Sequence, residues 1–170
     1  TTTANAMGAW TCTVAPALGD GPHVFVASTV NGAMTASSPP RTVIIDATAP
    51  GAPVITVPAE GSTTSPSPTV SGVAEPGSTV RLFADGSMTP SCTAVTNAAG
   101  NYTCIIAGPL TAGAHTLTAT ATDAAGNTSA STPVRNFTVA VGTPPGPPVI
   151  AAPAPGSSTN DTTPTVSGTA

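Results

Sequence analysis

The chain has 170 residues and a formal net charge of −4, with 6% charged and 3% aromatic residues, 20 Pro and 17 Gly. So few charges beside a positive mean hydropathy of +0.24 exclude intrinsic disorder, which needs low hydrophobicity and high net charge. There is no basic stripe to bind nucleic acid and no apolar run of spanning length, so neither nucleic acid nor membrane insertion is expected.

The first segment in chain order, residues 3–46, returns as residues 95–140. Asn5-Ala6-Met7-Gly8-Ala9-Trp10-Thr11-Cys12 aligns with Asn97-Ala98-Ala99-Gly100-Asn101-Tyr102-Thr103-Cys104, 92 residues on. Leu18, Gly21 and His23 match Leu110, Gly113 and His115 at the same spacing, and Arg41 matches Arg135 at 94. A second match runs forward: Pro53-Val54-Ile55 returns as Pro148-Val149-Ile150, and Pro68-Thr69-Val70-Ser71-Gly72 as Pro164-Thr165-Val166-Ser167-Gly168. A period in the low nineties implies a tandem array of whole small domains rather than of single supersecondary units. The expected division is 1–46, the C-terminal half of one unit; 47–141, a complete unit; and 142–170, the first strands of a third.

Within the complete unit the segment 46–53, Asp46-Ala47-Thr48-Ala49-Pro50-Gly51-Ala52-Pro53, reads as a semi-rigid proline-rich linker; its counterpart is 141–148. Strands are predicted over 54–57 and 69–73, then over 79–84, closed by the turn pair Asp85-Gly86. A short strand at 93–96 and another at 102–106 follow. Residues 115–122 alternate apolar with Thr for their whole length, a period-two pattern that specifies a half-buried strand. The last strand is 135–139. Asn97-Ala98-Ala99-Gly100 and Asp123-Ala124-Ala125-Gly126-Asn127 read as two copies of one hairpin connection, with Asx first and Gly near the end. Pro58, Pro66, Pro68 and Pro76 fall at edges and loops, where a residue without an N–H is tolerated. The inward set is expected to be Val54, Val70, Val80, Leu82, Tyr102, Ile106, Leu117, Ala119, Phe137 and Val139.

Cys92 and Cys104 flank the 97–100 turn and are placed to face each other across it. A disulfide there would close a loop of about a dozen residues and add roughly 3 kcal/mol on the chain-entropy account. Two buried free thiols are the alternative, since Cys104 shares strand parity with Tyr102. Cys12 matches Cys104, and its own partner would fall one residue before Thr1. His23 and His115 each follow a Gly by two residues and lie in different units, so they cannot share one metal; a structural role or exposure is expected. Trp10 and Tyr102 hold one repeat position, the packing centre of a core strand rather than a sugar platform. The row Thr116, Thr118, Thr120, Thr122 suits the wet face of a strand. Glu60, Glu75, Asp85 and Asp123 have no acid–base partner by spacing. No Ser-His-Asp arrangement or phosphate loop is signalled, so no enzyme is expected.

Strands, turns and linker together resemble the bacterial Ig-like repeats of large surface adhesins and biofilm-associated proteins. The resemblance rests on Asp46, Pro50 and Pro53-Val54-Ile55, on Pro68-Thr69-Val70-Ser71-Gly72, and on Glu75-Pro76-Gly77-Ser78-Thr79-Val80. It continues through Ala98-Ala99-Gly100-Asn101-Tyr102 and residues 119–127. It implies an all-β fold of tandem Ig-like antiparallel β-sandwich units, about seven strands per complete unit. It further implies a structural stalk that projects a distal binding region from a bacterial surface, so an extracellular or cell-surface location. Its implied partners are neighbouring repeats of the same chain and, through other domains, a host or biofilm surface. The alternative is a non-catalytic accessory or carbohydrate-binding module of a secreted hydrolase, which an exposed aromatic cluster would favour. In the family acidic residues at domain junctions bind calcium; the candidates here are Asp46, Asp123 and Asp161. Ala140 and Val141 stand where Asp46 would recur, and Ser65-Pro66 where Asn160-Asp161 would. An Asx-turn cap at Asp123 and a solvated Asp46 are the competing reading, and no other cofactor is expected.

Overall fold

The structure, a computed structural model, describes residues 1–140, 142 and 146–169. Of the linker expected at 141–148, residues 141 and 143–145 lie outside the described residues. Before the linker at 46–53 come β1 (Gly21–Phe25), β2 (Ser28–Asn31), β3 (Met34–Ser37) and β4 (Arg41–Ile45). After it come β5 (Val54–Val57), β6 (Thr63–Thr64), β7 (Thr69–Val73), β8 (Thr79–Ala84), β9 (Cys92–Val95), β10 (Asn101–Ile105), β11 (Gly113–Thr122) and β12 (Arg135–Val139). β13 (Val149–Ala152) and β14 (Ser167–Thr169) close the chain. Among the described residues there is no helix.

Strands β5–β12 form two sheets, β10-β7-β5 and β6-β12-β11-β8-β9. Sheets with one apolar face are stable only when those faces meet, and here they close on a single core. Its members are Ile55, Val70, Val80, Leu82, Ala84, Tyr102, Ile106, Leu117, Ala119, Ala121, Phe137 and Val139. The ladder of β8 and β11 sets large against small: Leu82 opposes Ala119, Val80 opposes Ala121, and Leu117 opposes Ala84. That alternation fills the inter-sheet space without overpacking. Thr116, Thr118, Thr120 and Thr122 take the opposite face and are half-buried.

Nine of the ten expected inward residues are in this core. The exception is Val54, which is 52% exposed, while Ile55 is buried. β5 is apolar at both parities, so alternation alone cannot choose its inner face. The register against β7 settles the choice by placing Ile55 opposite Gly72, and the ladder then shifts between Ile55 and Val57. The strands expected at 93–96 and 102–106 each begin and end one residue earlier, with Ile106 buried just beyond the second.

Two further differences concern connectivity. The first strand divides: β5 pairs with β7, whereas β6 crosses to the other sheet and pairs in parallel with the end of β12. The 97–100 turn is not a hairpin connection. It joins β9, an edge of one sheet, to β10, an edge of the other. Main-chain hydrogen bonds join the two strands just beyond their ends, Asn97 N–H to Asn101 O at 2.9 Å and Ala107 N–H to Ser91 O at 2.9 Å. The turn at 123–127 does reverse the chain onto its own strand: Ser129 N–H reaches Ala121 O at 2.8 Å and Thr132 N–H reaches Ala119 O at 2.9 Å.

Outside this sandwich the backbone reuses its patterns. β1 pairs with β4 from Gly21 with Ile45 to Phe25 with Arg41, and β11 pairs with β12 from Gly113 with Val139 to Leu117 with Arg135. The Asn5 turn has Asn5 N–H to Ala9 O at 2.8 Å and Gly8 N–H to Asn5 O at 2.9 Å. The Asn97 turn has the corresponding pair at 2.9 Å each. Gly8 and Gly100 both adopt the left-handed conformation this turn needs, φ 78° and 79°. The shift found in β5–β7 also recurs, between Ile150 and Ala152 in β13–β14.

Candidate functional site

Cys92 and Cys104 form a disulfide, with Cα atoms 6.2 Å apart and both residues half-buried. Because β9 and β10 belong to different sheets, the bond clips the two layers of the sandwich together along one open side. Cys12 is a free, exposed thiol.

The ends of the sandwich carry its polar chemistry. At the end where β12 finishes, His115 is buried, 8% exposed, with its ring 5.7 Å from that of Phe137. Its Nδ1 lies 2.8 Å from Asp85 Oδ2 and its Nε2 lies 2.8 Å from Thr111 O. Both ring nitrogens therefore face acceptors, an arrangement that only the imidazolium, with two N–H donors, satisfies in full. Hydrogen bonding to Asp85, then to Thr111, raises the His115 pKa above its ordinary value. Burial opposes the charge on Asp85, but the Thr116 N–H and His115 outweigh it and hold that carboxyl below the usual range. Asp85 sits at φ 52° beside Gly86 at φ 69°, with Ser87 N–H closing the turn on Ala84 O at 2.9 Å. The Asp-Gly pair was legible in the sequence as a turn; its second role, orienting His115, was not.

At the opposite end lies the 123–127 turn. Asp123 Oδ1 accepts from the N–H groups of Gly126 and Asn127, both at 2.8 Å, and Oδ2 accepts from Asn127 Nδ2 at 2.9 Å. The Asn127 amide and these N–H groups hold the Asp123 carboxyl below its ordinary pKa. Asn127 Nδ2 also donates to Asp46 O at 3.0 Å. Two of the three candidate calcium ligands thus come near one another, but Asp46 does so through its main chain. Asp161 is apart from both, capping its own loop through Thr163 N–H at 2.9 Å. Among the described residues no group of three or more His, Cys, Asp or Glu is gathered for a metal ion.

A shallow groove between β5 and the start of β12 is lined by Pro53, Val54, Glu60, Pro133, Val134 and Arg135. Arg135 donates to Ile55 O, and Glu60 is engaged by Asn136 through N–H at 3.1 Å and Nδ2 at 2.8 Å. These contacts commit the groove's charged groups to holding the strand ends. Sequence spacing did not reveal them, because Glu60 and Arg135 are far apart in the chain.

An all-β sandwich with an inter-sheet clip, capped ends and carboxylates occupied by structural hydrogen bonds defines a module of the immunoglobulin type. A family described as bacterial Ig-like domain matches residues 56–141, and the chain belongs to that family. No curated protein matches the chain. Among the described residues no helix is long and apolar enough to cross a membrane.

Proposed function

We propose that this chain is a spacer segment of a bacterial surface or secreted adhesin, built of successive Ig-like units and extending a binding region away from its anchor. The units are 1–46, 47–141 and 142–170. The observation that carries this reading is the return of one backbone pattern 92 to 94 residues on. The Asn5 and Asn97 turns share their hydrogen bonds, and β1–β4 and β11–β12 share their register. A binding module would need one distinctive face, whereas a spacer needs only sound cores and sound joints. The scarcity of aromatic residues, 3% of the chain, supports the spacer over a sugar-binding accessory module, whose platforms are aromatic. Ig-like domains are in general non-catalytic, and the carboxylates described above are spent on structure. The disulfide supports an oxidising, extracellular setting.

The test is the coding sequence on both sides of this segment. Further copies of the Asn-Ala-x-Gly turn and the Pro-Val-Ile linker, leading to a wall or outer-membrane anchor, would support the spacer. A catalytic domain within a few units would replace it with the accessory-module reading.

A further inference from the structure

The linker at 46–53 is held from both sides. On one side Asp20, the residue before β1, reaches the chain as it leaves β4. Its Oδ1 accepts the Ala47 N–H at 2.8 Å and its Oδ2 accepts the Thr48 hydroxyl. Those contacts, the Thr48 hydroxyl foremost, lower the pKa of Asp20, which therefore stays an anionic acceptor. On the other side Asn127 holds Asp46 O, and its amide is in turn aimed by Asp123 Oδ2. Further along, Pro50 and Pro53 are buried, so the end of the linker has already joined the sandwich that follows. Proline has a fixed φ, and a buried proline cannot swing. Little of the linker is left to act as a hinge.

The corresponding position in the complete unit is filled differently. Leu18, Gly21 and His23 align with Leu110, Gly113 and His115, which places Ala112 where Asp20 stands. A methyl group cannot accept a hydrogen bond from the departing chain.

We infer that the joint between β1–β4 and β5–β12 is a braced contact surface, locked by Asp20 on one unit and Asn127 on the next, and that the following joint lacks the Asp20 half of this brace. The chain thereby follows a stiff joint with a compliant one, and brace residues rather than linker proline content set the difference. The inference rests on the division into units proposed above, but its test does not depend on what flanks the segment.

The experiment is backbone residual dipolar couplings on the full 170-residue protein and two variants, Asp20→Ala and Asn127→Ala. In the parent, the amides of β1 and β4 fit one alignment frame with those of β8, β11 and β12, while those of β13 and β14 require their own. In each variant the alignment of β1 and β4 falls roughly twofold or more, as expected for parts that reorient independently. Separate frames for β1–β4 and β8–β12 in the parent would overturn the inference. So would a single frame retained in both variants, or β13–β14 sharing the parent's common frame. If Asp20→Ala loses the β1–β4 ladder, seen in its amide shifts, Asn127→Ala decides alone, because that residue lies in the other unit.

Discussion

Gly72 and Tyr102 stand directly opposite each other in the β7–β10 ladder, and the tyrosine ring occupies the space a side chain at position 72 would need. A Cβ there would lie 2.6 Å from the tyrosine oxygen and 1.9 Å from Val54 O. The same phenol donates to Val54 O at 3.1 Å, so one ring covers the glycine and ties β5 to the sheet. Replacing Gly72 with Ala is expected to cost at least the roughly 1–3 kcal/mol typical of overpacking, because a backbone carbonyl rather than a flexible side chain must yield. Tyr102→Phe keeps the cover and is expected to cost only about 1 kcal/mol for the lost hydrogen bond. Urea denaturation of the two variants checks the order.

The same tyrosine supplies a spectroscopic test. Burial pushes its phenol pKa up to about 12, above the ordinary tyrosine value. Tyr102 is the one tyrosine of the chain, so phenolate absorbance reports it alone. Its pKa is raised and its protonated form is neutral, so its contribution to stability is complete below the unfolded value. That contribution is lost as pH rises through the folded value. The absorbance change is expected to be displaced upward in the folded protein relative to the protein in denaturant.

Reducing the Cys92–Cys104 bond, or replacing both residues by Ser, is expected to lower unfolding stability by roughly 3 kcal/mol, the chain-entropy value for so short a loop. The loss separates the sheets along the β9–β10 side rather than opening a ladder. Amides of β9 and β10 should therefore lose hydrogen-exchange protection before those of β8 and β11. Alkylation of the native, unreduced protein should label Cys12 alone.

His115 and Asp85 give stability a two-sided pH response. His115 has a raised folded pKa, so its contribution is present in full below about 6.5, its unfolded value, and fades as pH rises through the folded value. Asp85 has a lowered folded pKa, so its contribution is present above about 3.8 and fades as pH falls through the folded value. Between the two depressed and elevated values the pair is charged on both sides and stability is greatest. Asp85→Asn tolerates the left-handed conformation and keeps an acceptor for Thr116 N–H but removes the charge. Denaturation midpoints across the neutral-to-alkaline range should fall for the parent and be flatter for this variant.

Calcium is expected to leave the sandwich unchanged. The Asp123 oxygens already accept three hydrogen bonds, and hard cations require several converging oxygens free to bind. Melting temperatures in calcium and in chelator should agree within roughly 1 °C, since a ligand that binds the folded state raises Tm by mass action. A rise of several degrees that Asp123→Asn abolishes would reverse this expectation.

Local chemistry made much of this protein readable before any tertiary structure. The 115–122 alternation specified β11 and its inner face, because a period of two admits only one pleat. Asp85-Gly86 and the Asn-Ala-x-Gly motif announced their turns, because few residues accept a positive φ. Spacing brought Cys92 and Cys104 near one turn but left a disulfide and two free thiols both open; the structure shows the bond. What stayed hidden depends on contacts between distant segments. Val54 and Ile55 are both apolar, so only the register against Gly72 could decide which faces inward. A turn of one composition joins two sheets at 97–100 and folds back on its own strand at 123–127, because the partner strand, not the turn, determines where the chain goes next. Asp20 and Asn127 carry no local motif as a pair. Their joint function exists only where two units and the linker between them meet.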